Sequence, residues 1–261
     1  MSYKPQGRLR IAQQNRAGLI SQSRAAARQR RMQSIRSGRQ QLDVQQIIKN
    51  SGEKKGMDTT LDQTAITDDV SVNTNSNVLN LIQQGNGSWN RVGRKVYLKS
   101  ARLKGYGIFT FNPVATTADV VIPLLRMVVV WDKQPSGNVI PTYNSIFGTT
   151  IQDGSEATQV FDSVKYDNMG RFSVLRDCTM EANPGFLSDA GTTNITTLQI
   201  PFDEYIKLGN KEVVYSGQSA PMTISDISTG ALYVYFRTTV TATDYVWTVG
   251  RSSYCRLRYS D

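Results

Sequence analysis

The sequence predicts an all-β protein, a single eight-stranded jelly-roll sandwich preceded by a disordered arginine-rich arm. Apolar runs of strand length follow one another from residue 77 onward, turn residues separate them, and no strong amphipathic helix longer than two turns lies between them. Strands without intervening helices are typical of a sandwich or barrel. Long connections such as residues 133–169 favour a jelly roll over a simple meander.

The first forty residues carry all of the basic excess of the chain. They contain ten basic side chains and no Asp or Glu: Lys4, Arg8, Arg10, Arg16, Arg24, Arg28, Arg30, Arg31, Arg36 and Arg39. Removing them leaves 20 basic residues against the 21 acidic ones of the whole chain, a net charge of −1. A near-neutral body with a polycationic arm indicates a polyanionic partner, and the arm is expected to be disordered when free.

Within residues 1–40, the side chains of Arg24, Arg28 and Arg31 would share one face of a helix. Because these charges repel each other without counter-charges, we expect that helix to form only on binding. An Arg-rich, acid-free N-terminus is also typical of a mitochondrial transit peptide, and this alternative stays open.

The rest of the chain divides into a polar linker over residues 41–76 and a strand-bearing domain over residues 77–261. The first predicted strand is NVLNLIQ, followed by the turn-rich QGNGSWNRVGR and by the long alternating strand KVYLKSARLKGYGIFTFN, which bends near Gly105. DVVIPLLRMVVVWD is near-continuously apolar, which predicts burial on both faces. DKQPSGN reads as a turn and TYNSIFG as one short helical turn.

Five further strands complete the prediction: RFSVLRDCTME, ITTLQIPFDEYIKL, KEVVYSG, ALYVYFRTTVTAT and SSYCRLRYSD. The last alternates cleanly, which places Tyr254, Arg256 and Arg258 on one face. Among the tryptophans, Trp131 closes the most apolar strand and is predicted to lie in the core. Trp89 and Trp247 lie in or near turn-rich polar sequence, which favours interfaces.

Catalysis finds little support in the composition. The chain has no His, which is the commonest general base and metal ligand, and its only cysteines, Cys178 and Cys255, are expected to be buried free thiols. The carboxylate pair Asp203/Glu204 is adjacent in one predicted strand, so its members point to opposite faces. We therefore expect no enzyme activity, no catalytic residues and no cofactor. We assign no metal ligands, although a divalent cation between subunits stays open.

A second basic cluster lies around the first long strand. It comprises Arg91, Arg94, Lys95, Lys99, Arg102 and Lys104, with Tyr97 and Tyr106 interleaved. We expect these residues to contact nucleic acid, and the alternative is an ordinary solvated strand face. The neighbouring QGNGSWN lacks the spacing of a phosphate-binding loop and is predicted to be a turn. Since no apolar run reaches roughly 18 residues, we expect no membrane insertion.

The arm, QGNGSWNRVG, GRKVYLKSARLKG and RMVVVWDKQPSGNVIPTYNSIF together resemble the capsid (coat) proteins of circular Rep-encoding single-stranded DNA viruses, circovirus-like and geminivirus-like. The resemblance implies a jelly-roll subunit that forms an icosahedral homo-oligomer of about sixty copies. It implies that the arm binds the single-stranded DNA genome and engages host nuclear import receptors. The protein would then occur in the virion and, during assembly, in the host nucleus.

Two other classes of protein remain open from the residues alone. One is a cellular or organellar nucleic-acid-binding β-domain with a basic N-terminal tail, and the other is an enzyme on a β-sandwich. A binding module would stay small in solution, whereas a capsid subunit would form large homo-oligomers. An enzyme would not need residues 1–40.

Overall fold

The computed structural model describes residues 54–69, 71, 73, 76–111, 123–135, 139–150, 156–182, 196–239 and 245–261. Within these residues the chain forms thirteen strands: β1 (Lys54–Thr60), β2 (Gln63–Ile66), β3 (Ser76–Val78), β4 (Lys95–Phe111), β5 (Leu124–Asp132), β6 (Thr149–Thr150), β7 (Glu156–Ala157), β8 (Phe172–Glu181), β9 (Thr196–Tyr215), β10 (Ile227–Thr229), β11 (Ala231–Thr238), β12 (Tyr245–Val249) and β13 (Tyr254–Ser260). One helical turn, α1 (Tyr143–Ile146), and 3₁₀ turns at Tyr166–Asn168 and Ile224–Asp226 accompany them.

The first sheet is built on the long strand β4. Strand β13 pairs with the first half of one edge of β4, from Tyr97 to Lys104, and β12 pairs with the second half, from Gly107 to Phe111. Strand β9 pairs along the whole opposite edge. Strands β1, β2 and β10 extend the sheet by pairing with β13, β12 and β9, and every pairing is antiparallel.

The second sheet has the antiparallel order β3-β11-β5-β8. Its two central strands are buried almost throughout, because one face packs on the first sheet and α1 covers part of the other. The Tyr143 ring of α1 lies edge-on to Tyr235 of β11 at a centroid distance of 5.9 Å. This confirms the predicted burial of β5 on both faces and the predicted helical turn.

The core lies between the two sheets. Side chains of β4 alternate, so that Val96, Leu98, Leu103 and Phe109 are fully buried while Arg102 and Lys104 point to solvent. Phe202 of β9 meets Phe236 of β11 across the sandwich, with ring centroids 6.5 Å apart. The all-β jelly-roll class predicted from the sequence is confirmed. The structure has thirteen strands in the described residues rather than the eight predicted. Several of the additional strands are only two to four residues long.

The predicted linker over residues 41–76 requires a correction. Strands β1 and β2 lie inside this range and pair with β13 and β12. Leu61, which connects them, is fully buried. The strand-bearing body therefore begins before residue 77, and its polar first strand is stabilised by edge pairing rather than by its own apolar content. The predicted arm over residues 1–40 lies outside the described residues, and its disorder stays a prediction.

Two predicted strand boundaries are also wrong. NVLNLIQ is a strand only to Val78, although the Leu79 N–H still donates to the carbonyl of Leu232 (2.8 Å). After it the Asn80 side chain donates to the carbonyl of Gly230 (2.9 Å) and accepts from the N–H of Leu232 (3.0 Å). The two strands predicted as ITTLQIPFDEYIKL and KEVVYSG are one strand, β9, with a left-handed kink at Gly209 and Asn210.

Candidate nucleic-acid interface

Most of the nucleic-acid contacts predicted from the sequence lie in the arm. Nine arginines of that set lie outside the described residues: Arg8, Arg10, Arg16, Arg24, Arg28, Arg30, Arg31, Arg36 and Arg39. Their role stays a prediction. The six residues of the second basic cluster are all described, and the structure divides them into three groups.

Arg91 does not belong to an exposed patch, which corrects the prediction for this residue. Its side chain is fully buried, and its guanidinium donates hydrogen bonds to the carbonyl oxygens of Ile82 (3.0 Å), Gly93 (2.8 Å) and Gly217 (2.6 Å). It also lies 4.3 Å from the ring centre of Tyr215, and burial lowers its pKa. Arg91 therefore holds the turn before β4 in place and is not available to a phosphate.

The second group lies at the start of β4: Arg94 directly precedes the strand, and Lys95 and Lys99 belong to its first five residues. Arg94 and Lys95 are exposed, and the Lys95 ammonium lies 2.9 Å from Glu212, whose hydrogen bond raises the pKa of the lysine. Lys99 is half-buried where the register shifts between Leu98 and Ser100, and burial lowers its pKa. The predicted bend of this strand therefore falls at Lys99 rather than near Gly105.

Arg102 and Lys104 lie on the solvent face of the first sheet, where neighbouring strands add further cations. Arg102 is directly opposite Arg256 of β13, and Ser100 is opposite Arg258 of β13 and Lys207 of β9. Residues opposite each other in an antiparallel pair share a face. We call this surface the basic face and define it by five exposed residues: Arg102, Lys104, Lys207, Arg256 and Arg258.

Tyrosines lie among the cations of the basic face. Tyr205 is 64% exposed and sits opposite Arg102, while the ring of Tyr254 lies opposite Lys104 and 5.6 Å from the Arg256 guanidinium carbon. A depression of about 540 Å³ is lined by Ser100, Arg102, Asp203, Tyr205, Tyr254, Arg256 and Arg258. Cations beside exposed aromatic rings are the combination that binds single strands, since phosphates meet the charges and bases stack on the rings.

Two carboxylates offset part of this positive charge. Asp203 accepts two hydrogen bonds from Arg102 at 2.7 and 2.6 Å, and Asp58 accepts two from Arg256 at 2.8 and 2.7 Å. These hydrogen bonds lower the pKa of both carboxyl groups, so both remain ionised at neutral pH. Among the residues that the structure describes, no carboxylate lies within ion-pair distance of the other three members of the basic face. The face keeps a positive excess.

Sequence reasoning missed Lys207, Arg256 and Arg258 as candidate contacts. The alternation of SSYCRLRYSD already placed the two arginines on one face with Tyr254. Nothing in the sequence shows, however, that β13 and β9 flank β4, and this pairing is what brings their cations beside Arg102.

The described residues offer little for acid–base or metal chemistry. Asp203 and Glu204 lie on opposite faces of β9, as expected, and each is bound by a different arginine, Arg102 and Arg176. Burial raises the pKa of the Cys178 and Cys255 thiols to about 12. No group of three or more acidic or Cys side chains in the described part of the chain is placed to hold a metal ion. No helix among the described residues is long and apolar enough to span a membrane.

Comparison with known proteins identifies the family. An all-β sandwich with a strongly cationic arm and a basic solvent face is the arrangement expected of a structural protein that meets nucleic acid. The chain belongs to the Geminivirus coat protein/nuclear export factor BR1 family, which it matches over residues 3–261. This membership confirms the resemblance noted in the sequence and, with the fold, supports a structural viral coat protein.

No curated protein matches the chain in a sequence search. Among solved structures, a chain of the unassembled KI polyomavirus VP1 pentamer aligns with 11% identity over 80% of this chain and 94% of that one, with a TM-score of 0.19. A TM-score this low does not establish a common arrangement of strands.

Proposed function

We propose that this protein is the subunit of a small icosahedral capsid that packages single-stranded DNA through its arginine-rich N-terminal arm. The observation that carries packaging is the charge distribution, with ten basic and no acidic residues in the first forty positions. The family match supports the coat role and includes nearly all of that arm. The protein would act in the virion and, during assembly, in the host nucleus, where import receptors would read the same basic segment.

The arm suits phosphate binding without sequence preference. Nine of its ten cations are arginines, whose guanidinium groups form bidentate hydrogen bonds with phosphate and stack on unpaired bases. Each phosphate that an arginine neutralises releases counterions, and this release favours binding. The affinity therefore falls as the salt concentration rises. Arms from about sixty copies would supply roughly 600 positive charges, enough to offset a substantial part of a genome of one to a few kilobases.

The basic face would add a second, weaker contact. Lys104, Lys207 and Arg258 have no acidic partner among the described residues, and Tyr205 presents an open ring beside them. Lys95 and Lys99 contribute less, because Glu212 already pairs with Lys95 and Lys99 is half-buried. This ordering refines the prediction from the sequence, in which all six residues of the second cluster were equal.

The test compares full-length protein with a variant that lacks residues 1–40, both binding fluorescent single-stranded DNA over a range of salt. We expect steep salt dependence for the full chain. Engagement of about five to ten charges at roughly −0.7 per phosphate gives a log–log slope between about −4 and −7. The shortened protein should stay folded and lose most of its affinity.

Two further variants separate the contributions of arm and face. A chain with the nine arm arginines changed to lysine keeps the charge and should retain most of the slope. Lys104→Gln/Lys207→Gln/Arg258→Gln in the shortened protein should remove the residual binding. A slope near zero for the full-length chain would refute packaging by the arm. A chain that binds DNA yet stays small under all conditions would favour the cellular binding-module alternative.

A further inference from the structure

Exposed apolar side chains gather at two separate places on the described surface. Trp89 and Val92 project from the turn before β4, with 51% and 59% of their surface exposed. A second group, Phe161, Tyr166, Met169 and Val174, lies on β8 and the segment before it. Clustered exposed apolar side chains, unlike single ones, are typical of interaction sites.

The turn that carries Trp89 is held in place by its own hydrogen bonds. The N–H of Asn90 donates to Gly87 (2.9 Å), and the N–H of Arg91 donates to Gln83 (2.9 Å). The buried guanidinium of Arg91 then fixes the turn to the body, as described above. An indole presented on such a rigid support loses little conformational freedom on binding, which favours it as an interface anchor.

Two members of the second group, Met169 and Val174, line a pocket of about 390 Å³ on the outer side of the second sheet. Its lining residues are Arg126, Phe147, Ser163, Val164, Met169, Phe172, Val174 and Asp177. At its base the Arg126 guanidinium is held by two hydrogen bonds to Asp177 and lies 5.4 Å from the Phe147 ring centre. Backbone hydrogen bonds from Lys165 to Ile146 (2.9 Å) and from Gly148 to Ser163 (3.0 Å) fix its walls.

We infer that Trp89 of one copy of this chain inserts into the Arg126 pocket of a second copy. The anchor and the pocket lie on different elements, so the contact joins two different surfaces and repeats head to tail, as a closed ring of subunits requires. Charges agree with this occupant: Arg94 is exposed close after the turn, and Asp167, an exposed carboxylate, lies two residues before Met169 of the pocket. The inference rests on the proposed assembly and names the contact that drives it.

The experiment uses two variants of the full-length chain, Trp89→Ala and Val174→Asp, with size measured by analytical ultracentrifugation. Each should block growth beyond the monomer, with association weakened by at least about thirtyfold. Trp89→Phe, which keeps a ring, should assemble. Val139→Asp, a matched change at an exposed valine that does not line the pocket, should also assemble.

Mixing the two blocked variants is the decisive step. Trp89→Ala retains an intact pocket and Val174→Asp retains an intact anchor, so the mixture should form one-to-one heterodimers and stop there. The formation of these heterodimers also shows that both variants are folded. Assembly of Trp89→Ala to normal size, or a mixture that remains monomeric, would overturn the inference.

Other outcomes separate this inference from the proposed function. If Trp89→Ala assembles normally but binds single-stranded DNA more weakly, the indole stacks on bases, and the subunit contact is refuted while packaging stands. If the unaltered chain never assembles, both the contact and the capsid role are refuted. The salt dependence of single-stranded DNA binding then tests the role of the arm by itself.

Discussion

The position of Arg91 shows how one buried guanidinium determines the structure around it. An arginine in a turn just before a lysine- and arginine-rich strand looks like a surface cation, yet its donors meet three backbone carbonyls inside the protein. The buried carbonyls need partners, because an unpaired polar group in the interior is costly. The residue type alone therefore could not predict the role of Arg91. A surface cation that binds phosphate and a buried donor to backbone carbonyls use the same guanidinium group.

Replacement of Arg91 by Ala should destabilise the fold. The change leaves three carbonyl groups without their donor and removes the packing on Tyr215, so we expect a loss of about 3 kcal/mol or more in the free energy of unfolding. Urea denaturation measures this loss as a lower midpoint. The matched variant Arg94→Ala, at an exposed neighbour, should change stability by less than about 0.5 kcal/mol. Equal effects of the two substitutions would contradict the anchoring role of Arg91.

For Trp247, too, the local sequence did not predict where the side chain lies. Its polar surroundings in the sequence suggested an interface, but the indole is fully buried in β12 and its ring lies 5.2 Å from that of Phe109. That interpretation is wrong. Strand β12 has only five residues, and its sequence does not show that it pairs with β4, the pairing that buries Trp247. Trp131, by contrast, lies in the core as predicted, since its own strand is near-continuously apolar.

At the scale of elements, β9 shows why local signals can mislead. The Leu208–Gly209–Asn210 stretch resembles a turn, and the sequence was accordingly divided into two strands. In the structure Gly209 and Asn210 adopt positive φ angles of 61° and 63°, but β9 continues to pair with β4 on both sides of them. The kink takes up additional residues opposite Lys99 and lets one long strand follow the twist of another.

A substitution at Gly209 tests this kink. A Cβ at this position meets no atom within 4 Å, so only the backbone conformation opposes it. Gly209→Val should cost about 1–2 kcal/mol, since β-branched residues resist positive φ. Thermal unfolding gives the value, and Gly170→Ala, at another uncrowded glycine without positive φ, should be near neutral. A neutral Gly209→Val would mean that β9 does not need the left-handed pair.

The strands that the sequence predicted well carry their signal within themselves. Strand β5 is apolar except for Arg126 and its last residue, and β13 alternates; both were found near their predicted places. Strands β1 and β2 were missed because they are polar and are stabilised by neighbours about two hundred residues away in the sequence. The basic face was only half predicted for the same reason: β4 supplies two of its cations, and strand pairing supplies the rest.

At the scale of the whole molecule, charge and function are divided between two parts of the chain. In the proposed function the near-neutral body forms the shell, and the first forty residues carry the charge that would hold the genome. This separation was readable from the sequence, because charge counting does not depend on the fold. The proposed contact between copies was not, since it needs the pocket that only folding creates.

Electron microscopy of the full-length protein purified from a heterologous host, followed by nuclease treatment of the same sample, tests the central claim most directly. We expect uniform closed shells that contain nuclease-protected single-stranded nucleic acid, and we expect the variant lacking residues 1–40 to contain none. Monomers or dimers at every protein and salt concentration, or shells whose nucleic-acid content is unchanged by removal of the arm, would contradict the account.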